Sequence, residues 1–343
     1  MKVNLVGCGG ISKCHLQAIG LLKDSGAELT AVADIVVEKA DAKAEEFGCK
    51  AYYDYIDMLN NEKPDVVHIC TPHYLHVDMA AEALGRGINV VLEKPCATSV
   101  ESLKKLREAE MNSEARLAVC FQNRYKPSTV FTKKLIDDEQ FGKVKSARAI
   151  LCWQRDADYY NADEWRGTWE QECGGVLINQ AIHTHDIMQY IIGKETKTVD
   201  GHISKFHLKD VNVVEDTASA YFTYEDGTRG IYFATNANGH SMDPMVEFVC
   251  ENAVIRLEGD NVYKISGKEI ELIFSKSDDV DIIGKYEWGN YHYHLIDDFN
   301  NCIKNNIDFK INSFEGGRVV AELLAVYESS KLGKTIDMKD FIK

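Results

Sequence analysis

Through the first 120 or so residues, short apolar runs alternate with stretches whose apolar positions recur at the helical period. Residues 2–6 form one such run, followed by glycines and then by a helical pattern through Ile11, Leu16, Ile19 and Leu22. Leu29-Thr30-Ala31-Val32-Ala33 predicts a second strand, ending at Asp34. Helical stretches over 36–47 and 54–61 precede a strand over 66–70, and a helix over 76–86 leads to a strand over 88–92. Thr98 and Glu101 have the spacing of a capping box for a helix over 99–112, and 117–121 reads as one more strand. Strands separated by helices predict a parallel sheet covered on both faces, the doubly wound α/β class.

Beyond residue 143 the dominant period changes. The runs 144–153, 217–224, 228–235, 245–250 and 254–257 are β-rich, and Glu225-Asp226-Gly227 suits a hairpin turn. No linker rich in Pro, Gly or Ser separates the halves, so the boundary near 122–125 is set by periodicity. It divides the chain into 1–122 and 123–343, with a helix from about 315 to 331 expected to pack back on the first domain. Two domains of ordinary size agree with 343 residues, and 45% hydrophobic, 27% charged and 5 Pro exclude disorder, collagen and coiled coil.

Charge and cysteine usage narrow the partners. The formal balance is 39 − 54 = −15, which repels phosphate backbones and anionic lipid. Lys104-Lys105 and Lys133-Lys134 are isolated pairs, so neither nucleic acid nor a membrane surface is expected. The apolar run in Met1-Lys2-Val3-Asn4-Leu5-Val6-Gly7 is too short for a signal peptide, and no stretch reaches the roughly 18 apolar residues of a spanning helix. Ten cysteines without C-x-x-C spacing predict reduced thiols and a cytoplasmic location, with Cys70 and Cys120 acting as small buried hydrophobes.

Gly7-Cys8-Gly9-Gly10-Ile11-Ser12 follows a strand and opens a helix, the context of a dinucleotide fingerprint. Gly7 would make the tight turn and Gly9 would admit a pyrophosphate at the helix N-terminus, while Ser12 replaces the third glycine with another small residue. A plain tight turn is the bland alternative. Asp34, at the end of the next strand, can accept hydrogen bonds from ribose hydroxyls and would repel a 2′-phosphate, so NAD is expected over NADP; the same residue would also serve as an N-cap for 36–47. Two further loops follow predicted strands, Cys70-Thr71-Pro72-His73-Tyr74-Leu75-His76 and Glu93-Lys94-Pro95. A lysine at a cofactor cleft can have its pKa lowered toward acid–base use, whereas an exposed salt bridge with Glu93 would be the ordinary reading. Residues 179–192 read as a helix with Asn179, His183 and Asp186 on one face, His185 pointing elsewhere, and Asp186 either orienting His183 or capping a solvated face.

These glycines, the Cys70-Thr71-Pro72 loop, Glu93-Lys94-Pro95 and Gly174-Gly175-Val176-Leu177-Ile178-Asn179-Gln180-Ala181-Ile182-His183 occur in an order that resembles the Gfo/Idh/MocA family of oxidoreductases over essentially the whole chain. The resemblance implies a Rossmann domain followed by an α+β domain on a large, mostly antiparallel sheet that mediates a homodimer or homotetramer. It implies that Lys94, Asn179 and His183 line the substrate. Most inositol dehydrogenase-like members have aspartate where this chain has Asn179, and an amide cannot take a proton, so acid–base duty falls to Lys94 or His183. Restoring aspartate at 179 is expected to be tolerated or to alter the pH profile. Cofactor contacts are expected from Gly7, Gly9, Gly10, Ile11, Asp34, Thr71, Pro72, His76, Glu93, Lys94, Gln122, Trp165 and Arg166. Substrate contacts are expected from Lys94, Arg124, Arg155, Tyr159, Asn179, His183 and His292, with Arg155 or Arg166 holding hydroxyls or a carboxylate.

The implied reaction is NAD-dependent hydride transfer from a secondary alcohol of a sugar, sugar derivative or cyclitol. Two other readings compete within the family: a hydrolase that oxidises its sugar transiently, and a dinucleotide-binding regulator without turnover. No metal is expected. The 11 histidines include no H-E-x-x-H, His183 and His185 diverge on a helix, and His292 with His294 lacks a third ligand at sensible spacing. No G-x-S-x-G elbow or P-loop supports serine hydrolysis or nucleoside triphosphate hydrolysis.

Overall fold

The computed structural model describes residues 1–206, 213–275 and 291–342. In their described residues two compact units form, Met1–Gln122 with Val280–Arg318, and Asn123–Asp279 with Val319–Lys343. Of the helix Glu315–Leu332, the residues up to Arg318 belong to the first unit and the rest to the second.

The first unit is built on a parallel sheet of β1 (Lys2–Val6), β2 (Glu28–Ala33), β3 (Lys50–Tyr52), β4 (Val66–Ile69), β5 (Asn89–Leu92) and β6 (Leu117–Val119). The order β3-β2-β1-β4-β5-β6 reverses direction between β1 and β4, and ligands of such sheets bind at the carboxyl ends of the strands flanking that reversal. Interior strands are buried on both faces, which is why β1, β4 and β5 read as continuous apolar runs rather than alternating ones. Leu5, Val32 and Leu16 pack with Cys8 and Cys70, so these thiols serve as core hydrophobes. β3 is an edge strand of three residues that periodicity does not reveal.

The cap of the helix Val100–Met111 differs from the expected Thr98–Glu101 pair. Ser99 Oγ accepts the Ser102 N–H at 3.0 Å and Ser102 Oγ accepts the Ser99 N–H at 2.9 Å. A serine hydroxyl at each position closes both bonds, so the box shifts by one residue and Glu101 is left in the first turn, where its charge suits the helix dipole.

In the second unit β7 (Val144–Cys152), β8 (Thr196–Ser204), β9 (Thr217–Tyr224), β10 (Arg229–Thr235), β11 (Met245–Cys250), β12 (Val254–Glu258), β13 (Asn261–Ser266), β14 (Glu269–Ser275) and β15 (Ile336–Asp337) form one sheet in the order β14-β13-β12-β11-β7-β10-β9-β8-β15. β7 and β10 pair parallel, and the other described pairs are antiparallel. β9 and β10 alternate cleanly. Phe222, Tyr232 and Ala234 face inward, whereas Tyr221, Ile231 and Phe233 stay 42%, 53% and 37% exposed on the outer face. The inner face meets the helix Ile182–Ile192 and the later turns of Glu315–Leu332: Tyr232 OH donates to Ala181 O at 2.7 Å, and Ser329 Oγ accepts the Gly201 N–H at 2.9 Å. A Cβ at Gly201 would stand 2.7 Å from Val326 Cγ1, so that approach requires glycine. Among the described residues no helix is long and apolar enough to cross a membrane.

Candidate active site

The glycine turn leaves β1 with Gly7 at φ +91°, where a Cβ would lie 2.6 Å from the Cys70 carbonyl. Only glycine allows both the dihedral and the close passage of the loop after β4. At Gly9 a Cβ would meet nothing within 4 Å, so the backbone there faces open space suited to a pyrophosphate. Ser12, in place of the third glycine, is fully buried and donates from Oγ to Gly9 O at 2.7 Å, which braces the turn from within. Gly10 and Ile11 lie between these two points, ahead of the helix Ser12–Leu21. Asp34 Oδ2 accepts the Cys8 N–H at 2.8 Å and Oδ1 accepts the Val36 N–H at 2.9 Å. It is therefore not the N-cap of Val37–Phe47, whose cap residue is Val36 with no side-chain bond. The carboxylate is instead fastened beside the glycine turn, where a ribose would present its hydroxyls, so the residues fit a dinucleotide. Burial and the Asp34 charge push the Cys8 thiol up to about 12, so it stays a neutral neighbour.

His76 joins the two remaining loops. It is fully buried, with Nδ1 2.8 Å from Pro95 O and Nε2 2.8 Å from Thr71 O. Burial lowers its pKa against the pull of these carbonyls. Its expected cofactor contact is thus replaced by a brace that sets Thr71-Pro72 against Lys94-Pro95, because both ring nitrogens are spent on backbone.

Glu93 is not an exposed partner of Lys94. Its Oε1 is 3.0 Å from His15 Nε2 and 2.9 Å from His292 Nε2, while Oε2 accepts the Lys94 N–H at 3.1 Å. Burial opposes its ionisation, but the bonds from His15 and His292 outweigh that and hold the carboxyl well below its ordinary range. His15 Nδ1 also lies 3.0 Å from His68 Nδ1. With His15 donating from Nε2 to Glu93, its Nδ1 is the acceptor and His68 carries the proton between them, a tautomer assignment that satisfies every contact in the chain. Burial lowers the pKa of both, His68 the more strongly. His292, expected at the substrate, is 1% exposed and committed to Glu93. His15, Glu93, Cys120 and His292 place four ligand-type atoms within 4.8 Å of one another. No sequence spacing signals the set, because it comes from a helix, two strand ends and a helix start. Cys120 is raised well above the usual thiol range by burial and then by Glu93, so it remains a thiol. Gln122 closes this unit and is buried.

In the second unit Asn179 does not lie on a helix. The helix starts at Ile182, and Asn179 sits in the turn before it, with its N–H on Gly175 O at 3.1 Å. Gly174 and Gly175 let this turn pass Tyr327 and Glu215: a Cβ at Gly175 would stand 1.9 Å from Glu215 O. Glu215 anchors it, accepting Gly175 N–H at 2.9 Å, Leu177 N–H at 3.1 Å and Tyr327 OH at 2.8 Å, while burial raises its pKa to about 7. Asn179 Nδ2 donates to Glu172 Oε1 at 2.5 Å, and Glu172 Oε2 accepts the Gly167 N–H at 2.5 Å. His183 is 6% exposed in the first turn of the helix. Asp186 does not cap a solvated face. It is fully buried and pairs with Arg124, Nη2 to Oδ1 at 2.6 Å and Nε to both oxygens at 3.1 Å. Arg124 also lies 4.7 Å from the Tyr190 ring, so the expected substrate arginine is an internal strut. His185 does point elsewhere, to Glu322 at 2.8 Å.

Tyr159 carries two guanidiniums, Arg166 at 4.3 Å and Arg155 at 5.0 Å from its centroid, flanked by Trp165 and Trp153. Its hydroxyl accepts from Gln180 Nε2 at 2.7 Å. Sequence reasoning missed His15, His68, Glu172 and Glu215. A buried histidine or glutamate carries no local pattern, and only its partners across the fold give it a role.

Strand order, glycine turn and Asp34 define a Rossmann-type dinucleotide-binding protein. Residues 1–121 match the model of the oxidoreductase family with an NAD-binding Rossmann fold, and residues 130–256 match the GFO/IDH/MocA C-terminal domain. The chain belongs to the Gfo/Idh/MocA family and is an NAD-dependent dehydrogenase. It is 27% identical over 267 residues to the inositol 2-dehydrogenase of Rubrobacter xylanophilus, covering 75% of this chain and 71% of that one. It is 25% identical to the scyllo-inositol 2-dehydrogenase (NAD(+)) of Bacillus subtilis, over 89% of this chain and 86% of that one. The solved WlbA dehydrogenase of Bordetella pertussis, in complex with NADH and UDP-GlcNAcA, superposes with a TM-score of 0.85 and 28% identity over 98% of each chain.

Proposed function

We propose that this protein oxidises a secondary hydroxyl of a sugar, sugar derivative or cyclitol. NAD, which the turn at Gly7 and Gly9 and the Asp34 carboxylate would hold, would supply the hydride acceptor. The hydroxyl proton must leave as the hydride departs, and a base within about 2.6–3.2 Å takes it. Lys94 and His183 supply that acid–base chemistry, and Asn179 orients the hydroxyl without carrying a proton. The observation that carries this reading is the footing of Lys94: it follows β5 at a strand end, its N–H is held by Glu93 at 3.1 Å, and Glu93 is itself clamped by two buried histidines. A lysine set so firmly at the ligand-binding edge of a parallel sheet suits proton transfer. Relatives named for cyclitols, and one solved with NADH and a UDP-linked sugar acid, support the substrate class. In this reading no metal, nucleic acid or membrane takes part. Among the described residues, which include all ten cysteines, no disulfide forms, which supports a reducing, cytoplasmic setting.

The apolar outer face of β9 and β10, where Ile231 pairs with Tyr221, supports assembly into a homodimer or homotetramer through that sheet. A panel of sugars and cyclitols followed by NADH absorbance, with NAD and NADP in parallel, tests the activity. Net NADH accumulation separates oxidation from hydrolysis with transient oxidation. Absence of NADH with every member would remove the proposed substrate class.

A further inference from the structure

Arg155 is a rigidly held cation without a carboxylate. Its guanidinium lies 4.6 Å from the Trp153 ring centroid and 5.0 Å from that of Tyr159, so aromatic faces fix its position. Arg166 lies 4.3 Å from the same Tyr159 ring, but Arg166 is neutralised by Asp163, Nε to Oδ2 at 2.9 Å. Among the described residues no such partner stands beside Arg155. Its Nη1 donates to Gln154 O at 2.9 Å, and its Nε is buried with no acceptor. In a chain whose acidic groups outnumber basic ones by 15, that is a departure that calls for an anion from outside. A guanidinium fixed in place with no carboxylate beside it offers its terminal N–H groups to an incoming carboxylate.

The position is wired to the turn that carries Asn179. Tyr159 OH accepts from Gln180 Nε2, the residue after Asn179, and Gln180 Oε1 accepts from Asn236 Nδ2 at 2.9 Å. Glu172 joins Asn179 to Gly167, the residue after Arg166. Arg155 therefore belongs to the same hydrogen-bonded body as the residue proposed to orient the reacting hydroxyl.

We propose that Arg155 receives a carboxylate of the substrate, which makes the substrate a sugar acid of the hexuronate type rather than a neutral sugar or cyclitol. This rests on the reading above that the substrate is a sugar or cyclitol, and narrows it. The planar fork of N–H donors matches a carboxylate, and the rings of Trp153 and Tyr159 suit the C–H face of a pyranose.

The test compares pairs that differ at one carbon: glucose with glucuronate and N-acetylglucosamine with its 6-carboxylate, each free and UDP-linked, together with glucose 6-phosphate. kcat/KM is read by NADH formation, and binding to the NADH complex by calorimetry. The uronate is expected to exceed its neutral partner by about tenfold or more, as loss of a charge-assisted pair would predict. Arg155→Met should collapse that ratio through the KM of the uronate, and Arg155→Lys should keep part of it, with an unchanged thermal midpoint for both variants showing that they fold. Equal or better use of the neutral partner, a ratio that survives Arg155→Met, or preference for the phosphate would overturn the proposal while leaving the dehydrogenase reading in place. If nothing turns over, tighter uronate binding that is lost in Arg155→Met would uphold the carboxylate site and remove the proposed oxidation of a sugar or cyclitol. Equal binding would overturn the site.

Discussion

Asn179 Nδ2 lies 2.5 Å from Oε1 of the fully buried Glu172, so the position where the family resemblance implies an aspartate is here a hydrogen-bond donor to a carboxylate. Asn179→Asp would press two carboxylates together, and one of them would have to bind a proton. Of the two outcomes expected from the sequence, tolerance or an altered pH profile, the contact with Glu172 favours the second. Stability at pH 8 should fall by roughly 1–3 kcal/mol, the scale of a lost bond plus an uncompensated group, and should recover toward pH 5.5. Adding Glu172→Gln should restore a donor–acceptor pair. Urea unfolding of both singles and the double variant at the two pH values measures this, and an Asn179→Asp protein as stable as the parent at pH 8 would refute the pairing.

Lys94→Ala and His183→Ala should each reduce kcat by at least ~10²-fold, the lower end for general acid–base catalysis, with little change in NAD affinity. Asn179→Ala should raise KM more than it lowers kcat if the amide only orients substrate. Steady-state kinetics on an active substrate checks the split; near-normal turnover by Lys94→Ala would reassign the roles.

Asp34→Ala should weaken NAD binding by roughly 1–3 kcal/mol and relax the preference over NADP. Part of that loss will come from the protein itself, since Asp34 also accepts the Cys8 and Val36 N–H groups that shape the glycine turn. Calorimetry with both cofactors reads the effect, and tighter NADP binding by the unaltered protein would contradict the assignment of Asp34.

Burial holds His15, His68 and His76 below the usual value of 6.5, so the folded chain refuses protons that the unfolded chain accepts. Stability should fall as pH drops below that value. Glu215 acts in the opposite sense. Its folded value of about 7 lies above the ordinary 4.5, so its contribution is complete below 4.5 and is lost as pH rises through about 7. Glu110, raised by burial, acts with Glu215, so three groups against two leave a net rise in stability from pH 5 to 6.5, on the order of 1 kcal/mol per pH unit. Glu215→Gln should lower stability overall, because three donors lose a full acceptor, yet steepen that acid-side rise. Thermal midpoints across pH 5–8 decide it, and an unchanged slope in Glu215→Gln would show that Glu215 stays ionised throughout.

Ile231→Asp places a charge on the exposed apolar face opposite Tyr221. Sedimentation at micromolar concentration should show oligomers for the parent and monomers for this variant. A monomeric parent would sink the assembly proposal.

Much of the first unit was legible because its signals are local. Gly7 and Gly9 announce a backbone conformation, Asp34 and Lys94 announce a place at a strand end, and interior parallel strands write themselves as apolar runs. The short edge strand β3 and the strands β8, β13 and β14 were not visible. Half-exposed or edge positions tolerate mixed residues, so their alternation is weak: every side chain of Glu269–Leu272 in β14 is exposed.

The sequence by itself determined the class of fold, the family and the chemical kinds of residue at the site, since each of these is written in short motifs and their order. Tertiary structure alone decided what those residues touch. His15, His68, Glu93 and His292 come from separate segments and meet as one buried chain of hydrogen bonds beneath Lys94. Arg124 was spent on Asp186, Asn179 was placed before its helix and tied to Glu172, and of two similar arginines on Tyr159 one was neutralised and the other left for an anion. The physical reason is the same in each case: the cost of burying a polar group is settled by its partner, and partners far apart in the chain leave no pattern in it.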